Sequence, residues 1–226
     1  MNAQHLSKSF DADIGRLRSE LAAMGELVRG QFTLATEAFC DGALHLVPQI
    51  ERNEGVVNSL QVQVDELCQL TIARHHPTAV DLRELISALH TVHDLERIGD
   101  ESKKIARRAR RLHANPIRSD LPLAAIASMA AEAARVFSQA LQAFNAHDVI
   151  LAAAVGEMDR KVNALRDQLI SELQRRMVTD REALPSLLSL VFVVQSVERV
   201  GDHAKSLAAN VIHVVAGVDV RHQVSL

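Results

Sequence analysis

The sequence predicts an all-α protein of two tandem three-helix bundles, six helices related by internal duplication. Three observations carry that expectation. Gly (9) and Pro (5) are scarce in 226 residues, while 48% of residues are hydrophobic, a balance that suits long packed helices rather than a sandwich or barrel rich in turns. Apolar residues recur at steps of three and four, the period of a helix with one buried face. The second half of the chain also repeats the first, placing the two repeats at 1–117 and 118–226.

The first helix is expected from about Ser7 to Phe39, on the stripe Phe10, Ile14, Leu17, Leu21, Met24, Val28, Phe32, Ala35 and Phe39. Asp41-Gly42 ends or bends it. The second runs from about Val47 to Ala73 through Ile50, Val57, Leu60, Val64, Leu67 and Ile72. His75-His76-Pro77-Thr78 reads as a turn, with Thr78 as N-cap of a third helix from about Ala79 to Leu112. Asn115-Pro116 closes that helix, and the stretch to Pro122 is the only linker-like segment. Three further helices are expected at about Leu123–Ala146, Val149–Met177 and Arg181–Val215, with Thr179-Asp180 as the last break. Only six Phe and no Trp or Tyr are present, so Leu, Val, Ala and Ile must fill the core.

The repeat is legible residue by residue. At an offset of 105, Met24, Phe32, Ala35, Ala38 and Phe39 meet Met129, Phe137, Ala140, Ala143 and Phe144. Val57-Asn58 and Leu60 meet Val162-Asn163 and Leu165. After a loop three residues shorter the offset is 102, and Leu82, Leu85, Ser87 and Val92 meet Leu184, Leu187, Ser189 and Val194. The match peaks where Glu96-Arg97-Ile98-Gly99-Asp100 meets Glu198-Arg199-Val200-Gly201-Asp202, then continues as Lys103 and Ala106 against Lys205 and Ala208. Apolar coincidence can arise between any two amphipathic helices. A five-residue polar motif at the same depth in the third helix of each half requires duplication.

The formal net charge of -3 does not fit a general affinity for nucleic acid or acidic membrane. Cys40 and Cys68 stand alone on apolar stretches without metal-type spacing, and read as buried free thiols in a reducing compartment. Met1 to Phe10 has no apolar core of a signal peptide. The apolar stretch Leu184–Val197 is too short to span a bilayer and is interrupted by Ser and Gln. A soluble, cytoplasmic protein is expected, reaching a membrane only through partners.

The chemistry-bearing residues are the repeated carboxylates. Glu96 and Asp100 are four apart, so both rise from one helix face, where their like charges repel. Leu82, Leu85, Ile86, Leu89 and Val92 form an apolar stripe whose next turn holds Glu96, Gly99 and Asp100. Leu184, Leu187, Leu188, Val191 and Val194 lead in the same way to Glu198, Gly201 and Asp202. Acids at the end of a core-facing stripe need a cation there. A glycine among them, costing about 1 kcal/mol of helix propensity against Ala, marks a close approach of another backbone or a ligand. Glu54 with Asn58 and Asp159 with Asn163, again four apart and aligned in the repeat, could complete oxygen-rich sites for divalent metal. The competing reading is that Glu96 and Glu198 pair with Arg residues of neighbouring helices and hold no metal. Glu101 and His203 sit at equivalent positions beside the repeated aspartates and could add contacts.

A ferritin-like di-iron bundle requires Glu-x-x-His, and no Glu here has a His three residues later. The basic run Lys103, Lys104, Arg107, Arg108, Arg110 and Arg111 suits a helix C-terminus, or forms an anion or partner surface; its counterpart after Lys205 lacks the arginines. His90, His93, Asp94 and Glu96 cluster on the third helix, but Gln195 replaces His93 in the other half, against a shared ligand role. No phosphate loop, nucleophile elbow or HExxH motif is present, and no enzymatic activity is expected.

Phe10-Asp11, Leu17 and Met24-Gly25, with Asp94-Leu95-Glu96-Arg97-Ile98-Gly99-Asp100 and Val197-Glu198-Arg199-Val200-Gly201-Asp202-His203, resemble the PhoU family, accessory regulators of bacterial phosphate-specific transport. The resemblance spans about residues 6 to 214. It implies two three-helix bundles and a cytoplasmic adaptor that negatively regulates phosphate-starvation signalling. Its partners would be the ATPase subunit of a phosphate ABC transporter (PstB-like) and a sensor histidine kinase (PhoR-like), and the protein is expected as a homodimer. It also implies that a divalent or ferric metal (iron, zinc or magnesium) can be held by Glu54, Glu96 and Asp100 in one half and Asp159, Glu198 and Asp202 in the other. The alternative is a carboxylate-rich bundle whose main role is metal handling.

Overall fold

The computed structural model describes residues 8–114 and 120–218. It contains six helices: α1 (Lys8–Cys40), α2 (Val47–His75), α3 (Ala79–Leu112), α4 (Leu123–Ala146), α5 (Val149–Thr179) and α6 (Leu184–Ala216), with a 3-10 turn at Leu44–Leu46. No strand occurs among the described residues. Ser7 and Asn115-Pro116, read as helix boundaries, lie outside them.

Every member of the apolar stripe read for the first helix is buried in α1. Of its counterparts in α4, Met129, Phe137 and Ala140 are buried and Phe144, matching Phe39, is partly buried. Phe32, Phe39 and Phe137 are the largest fully buried side chains. Burial of such a side chain is worth ~1.5–3 kcal/mol, so the stripes, more than helix propensity, hold the bundles together. The helices of each half run up, down and up: Asp13 near the start of α1 meets Arg74 and His75 at the end of α2, while His113 beyond α3 bonds Phe39 O near the end of α1 at 2.8 Å.

The halves meet where α3 lies along α6 and α1 along α4, so each half offers the same two helices to the other. The contacts are reciprocal. The offset of 102 relates Asp94 to Ser196 and Glu101 to His203. Asp94 Oδ1 lies 3.0 Å from His203 Nδ1, and Glu101 has Ser196 beside its carboxyl. One contact of an approximate internal twofold is thus made twice, with different chemistry.

Three local expectations need amendment. The last helix begins at Leu184 rather than Arg181: Asp180 accepts a hydrogen bond from Ala183 N at 3.1 Å, shaping a turn, and Pro185 occupies the first helical turn. Thr78 is the N-cap of α3, with extended backbone, but its hydroxyl makes no capping bond; the side-chain cap falls instead on Asp148, which accepts from Ile150 N and Leu151 N. The Leu184–Val197 stretch is part of a 33-residue helix that is long and apolar enough to cross a membrane by length and composition, with a window of mean hydropathy 1.3. Half of that window is buried inside the bundle, and the helix goes on to carry Glu198, Arg199, Asp202 and Lys205. Leu184, Leu188, Phe192 and Val215 of the same helix are exposed.

Candidate functional site

In the first half, Glu54 of α2 is only 2% exposed and faces the Gly99 turn of α3. Gln31 of α1 donates from Nε2 to Glu54 Oε2 at 3.1 Å and to Gly99 O at 3.2 Å, and Lys103 Nζ lies 3.5 Å from Glu54 Oε1. Burial pushes the Glu54 carboxyl above its ordinary value; Gln31 and Lys103 oppose that, and Asp100, within hydrogen-bonding reach, adds to it. Glu96 is turned to Arg97, 3.6 Å away, and the same guanidinium lies 4.0 Å from Asp100.

In the second half, Asp159 of α5 is 1% exposed and faces Gly201. Asn163 donates to its Oδ2 at 3.1 Å and Lys205 Nζ stands 4.0 Å away, while Oδ1 is buried without a hydrogen-bond partner. Burial, and then the charge of Asp202, raise the Asp159 carboxyl. Glu198 is raised by burial, by Asp202 and by Asp159, against Arg166, whose Nη1 lies 2.7 Å from Glu198 Oε1. The Asp202 charge thus disfavours ionisation of both Asp159 and Glu198.

The two glycines are sites of close approach. A Cβ on Gly99 would meet Glu54 Oε2 at 3.3 Å, whereas one on Gly201 would lie 2.5 Å from Asp159 Oδ1. The group that approaches each glycine is a buried carboxylate side chain rather than another backbone or a ligand. The pairing with neighbouring arginines is realised for Glu198, through Arg166 of α5. Glu96 takes the Arg next to it in its own helix.

Other candidates go elsewhere. Asn58 is exposed, while Asn163 bonds Asp159. Glu101 faces the other half: Lys104 lies 2.8 Å and Arg199 3.3 Å from its Oε1. Burial works against its charge, but Lys104, Ser196 and Arg199 outweigh that and hold the carboxyl below its ordinary value. His203 likewise turns to Asp94 of the other half. Both belong to the contact between halves, because they lie one residue round the helix from the aspartates. Cys68 is buried and Cys40 half-buried; burial, with Asp65 or Asp41 nearby, pushes each thiol up to about 12, so neither supplies a thiolate at neutral pH.

Gln31 was not singled out by the sequence reading, though a Gln between Val28 and Ala35 on an apolar stripe was a usable signal; the offset of 105 replaces it with Val136. Arg166 is equally particular to one half, its counterpart being Gln61. The carboxylate pattern and the lysine beside each buried acid are repeated; Gln31 and Arg166 are not.

The donors suit a hard or borderline cation chemically. The unpartnered Asp159 Oδ1, beside the Gly201 backbone and two further carboxylates, is the feature that fits one best. Among the described residues no three His, Cys, Asp or Glu side chains are already gathered in a metal-holding group, and the ammonium and guanidinium groups of Lys103, Lys205 and Arg166 stand where a cation would.

Comparison with known proteins agrees with the duplicated architecture. The PhoU domain model matches twice, over residues 21–109 and 126–211. The matches begin 105 residues apart and end 102 apart, the two offsets read from the sequence. The phosphate-specific transport system accessory protein PhoU homolog of Pseudomonas aeruginosa is 36% identical over 218 residues, covering 96% of this chain and 90% of that protein. The accessory protein PhoU of Escherichia coli is 30% identical over 219 residues, covering 97% and 90%. The crystal structure of PhoU from Pseudomonas aeruginosa superposes with a TM-score of 0.89 at 35% identity, over 92% of this chain and 100% of that one. That of the phosphate transport system regulatory protein PhoU from Streptococcus pneumoniae, 22% identical, shares the fold with a TM-score of 0.84, over 96% of this chain and 100% of that one. Two domain matches, close relatives along nearly the whole chain and the duplicated carboxylate motif make this protein a member of the PhoU family, an accessory protein of the phosphate transport system.

Proposed function

We propose that the protein is a non-enzymatic, cytoplasmic adaptor that holds phosphate-starvation signalling off when phosphate is plentiful, by binding the ATPase of a phosphate transporter and a sensor histidine kinase. The observation that carries this reading is the asymmetry laid over the duplication. Each half presents the same motif at the same depth with a lysine beside its buried acid, but a Gln31 hydrogen bond is added in one and the Arg166 guanidinium in the other. Two related, chemically unequal halves suit an adaptor with two different partners. The relatives named accessory proteins of a phosphate-specific transport system supply the context. Deleting the gene should switch on phosphate-scavenging genes in phosphate-rich medium. Genes that stay silent in the deletion strain overturn the adaptor reading.

A second reading, metal handling, is favoured by the buried and unpartnered Asp159 Oδ1. Asp159, Glu198 and Asp202 would hold a divalent or ferric ion in the second half, and Glu54, Asp100 and Glu96 in the first, with Arg166 and the two lysines displaced outward. The ion would supply the compensating charge that the clustered carboxylates lack. A regulatory metal is compatible with the adaptor role, and only the loss of partner binding would make metal the leading account.

A further inference from the structure

The basic run of α3 divides into two sets. Lys103 turns to Glu54 at 3.5 Å and Arg110 forks onto both oxygens of Glu51 at 2.7 and 3.1 Å. Lys104, Arg107, Arg108 and Arg111 instead line a cleft of about 340 Å³ between α3 and α6, whose opposite wall carries Phe192 and Arg199. Among the described residues the one carboxylate paired with any of these five cations is Glu101, whose ion pairs are with Lys104 and Arg199. Among the described residues Arg107, Arg108 and Arg111 have no ion-pair partner; Arg108 lies over the Phe192 ring, 4.2 Å from its centroid, which fixes the guanidinium without neutralising it.

Neither the helix dipole nor the fold explains this set. The dipole favours cations in the last turn, whereas Lys104 and Arg107 lie further back in a helix ending at Leu112, and Arg199 belongs to another helix. The internal repeat is a built-in control: at the offset of 102, Lys104, Arg107, Arg108 and Arg111 become Ser206, Ala209, Asn210 and His213. The same bundle thus forms without them. Gathering them costs like-charge repulsion, which an anion in the cleft would relieve.

We propose that this cleft is a binding site for an oligophosphate, a chain of linked phosphate groups, either free or as the tail of a nucleotide. Lys104, Arg107, Arg108 and Arg111 occur at helix neighbour spacing and form a row about 10 Å long, so the site is elongated. Guanidinium forks match phosphate oxygens in pairs. Orthophosphate, with at most two charges near neutrality, leaves about half or more of the cationic excess uncompensated; a triphosphate balances it.

The test is titration calorimetry of the full chain with inorganic tripolyphosphate, ATP, orthophosphate, citrate and an oligo-glutamate peptide at near-physiological salt. Tripolyphosphate should bind at least tenfold more tightly than orthophosphate, citrate or the peptide. Arg107→Gln with Arg111→Gln should weaken it at least tenfold, and Arg110→Gln, outside the cleft, should not; circular dichroism checks that each variant is folded. ATP bound as tightly as tripolyphosphate assigns the cleft to a nucleotide tail, and ATP bound at least tenfold more weakly assigns it to the free inorganic chain; either outcome supports the site. Absence of tripolyphosphate binding, equal weakening by Arg110→Gln, or tighter binding of citrate or the peptide overturns the proposal.

Discussion

Replacing Gly201 with Ala tests the packing of the second carboxylate group, and Gly99→Ala is its internal control. Each substitution should gain about 1 kcal/mol of helix propensity. At Gly99 the added Cβ meets Glu54 Oε2 at 3.3 Å and Val57 Cγ1 at 3.4 Å, needing a shift of a few tenths of an ångström, so the variant should lie between neutral and ~1 kcal/mol more stable. At Gly201 the nearest atom is Asp159 Oδ1 at 2.5 Å, well inside ordinary contact. Asp159 is buried on a short side chain and cannot swing out to water. Overpacking costs ~1–3 kcal/mol, and disturbing the Asn163 bond to a charged acceptor adds up to about the same. Against the propensity gain, Gly201→Ala should be about 0–5 kcal/mol less stable than the parent, centred on ~2 kcal/mol. Urea denaturation followed by circular dichroism reads both variants, with unchanged m values showing that only stability moved. A Gly201→Ala protein as stable as Gly99→Ala would mean that Asp159 is not held against the α6 backbone, and the account of the site would be wrong.

Glu54, Asp159 and Glu198 are held above their ordinary values of 4.5, 3.8 and 4.5, so at mildly acidic pH the folded state binds more protons than the unfolded one. Their joint effect is a stability that rises as pH falls through the raised values, complete below the ordinary ones. Glu101 runs the other way, its contribution being lost as pH falls through its lowered value. Denaturation midpoints should therefore rise on mild acidification and fall below about pH 4; Asp159→Asn should stabilise the protein at neutral pH and flatten the rise, and a destabilised variant with an unchanged profile contradicts the assignment. For metal, protein purified without tag or chelator and equilibrated with iron or zinc should bind stoichiometrically, and Asp100→Ala with Asp202→Ala should abolish binding without loss of helical signal. Equal binding by that double variant, measured by elemental analysis, rules these carboxylates out as the site.

The helices, the repeat and the acidic motif were legible in the sequence because each is a periodic pattern. The stripe from Phe10 to Phe39 needs only the helical period to be read, and it is buried entire. Pairing was less legible. Lys103 reads as a helix-end cation until α2 brings Glu54 beside it, and only the packing of α5 on α6 selects Arg166 as the arginine that meets Glu198. Glu101 and His203, adjacent in sequence to the repeated aspartates, point a hundred degrees round the helix into the other half. Helix spacing places residues on a face; only packing decides what that face meets. The division of the basic run into paired and unpaired sets needed the structure for the same reason.

The central claim, that the protein acts by docking on the phosphate transporter, is tested most directly by mixing the purified full chain with the purified ATPase subunit of its own transporter. Titration calorimetry and size-exclusion chromatography would read the association. The account predicts a saturable complex with defined stoichiometry that co-elutes and is weakened by charge-reversing substitutions on one motif-bearing face. No heat of binding and separate elution at every concentration reached would contradict it.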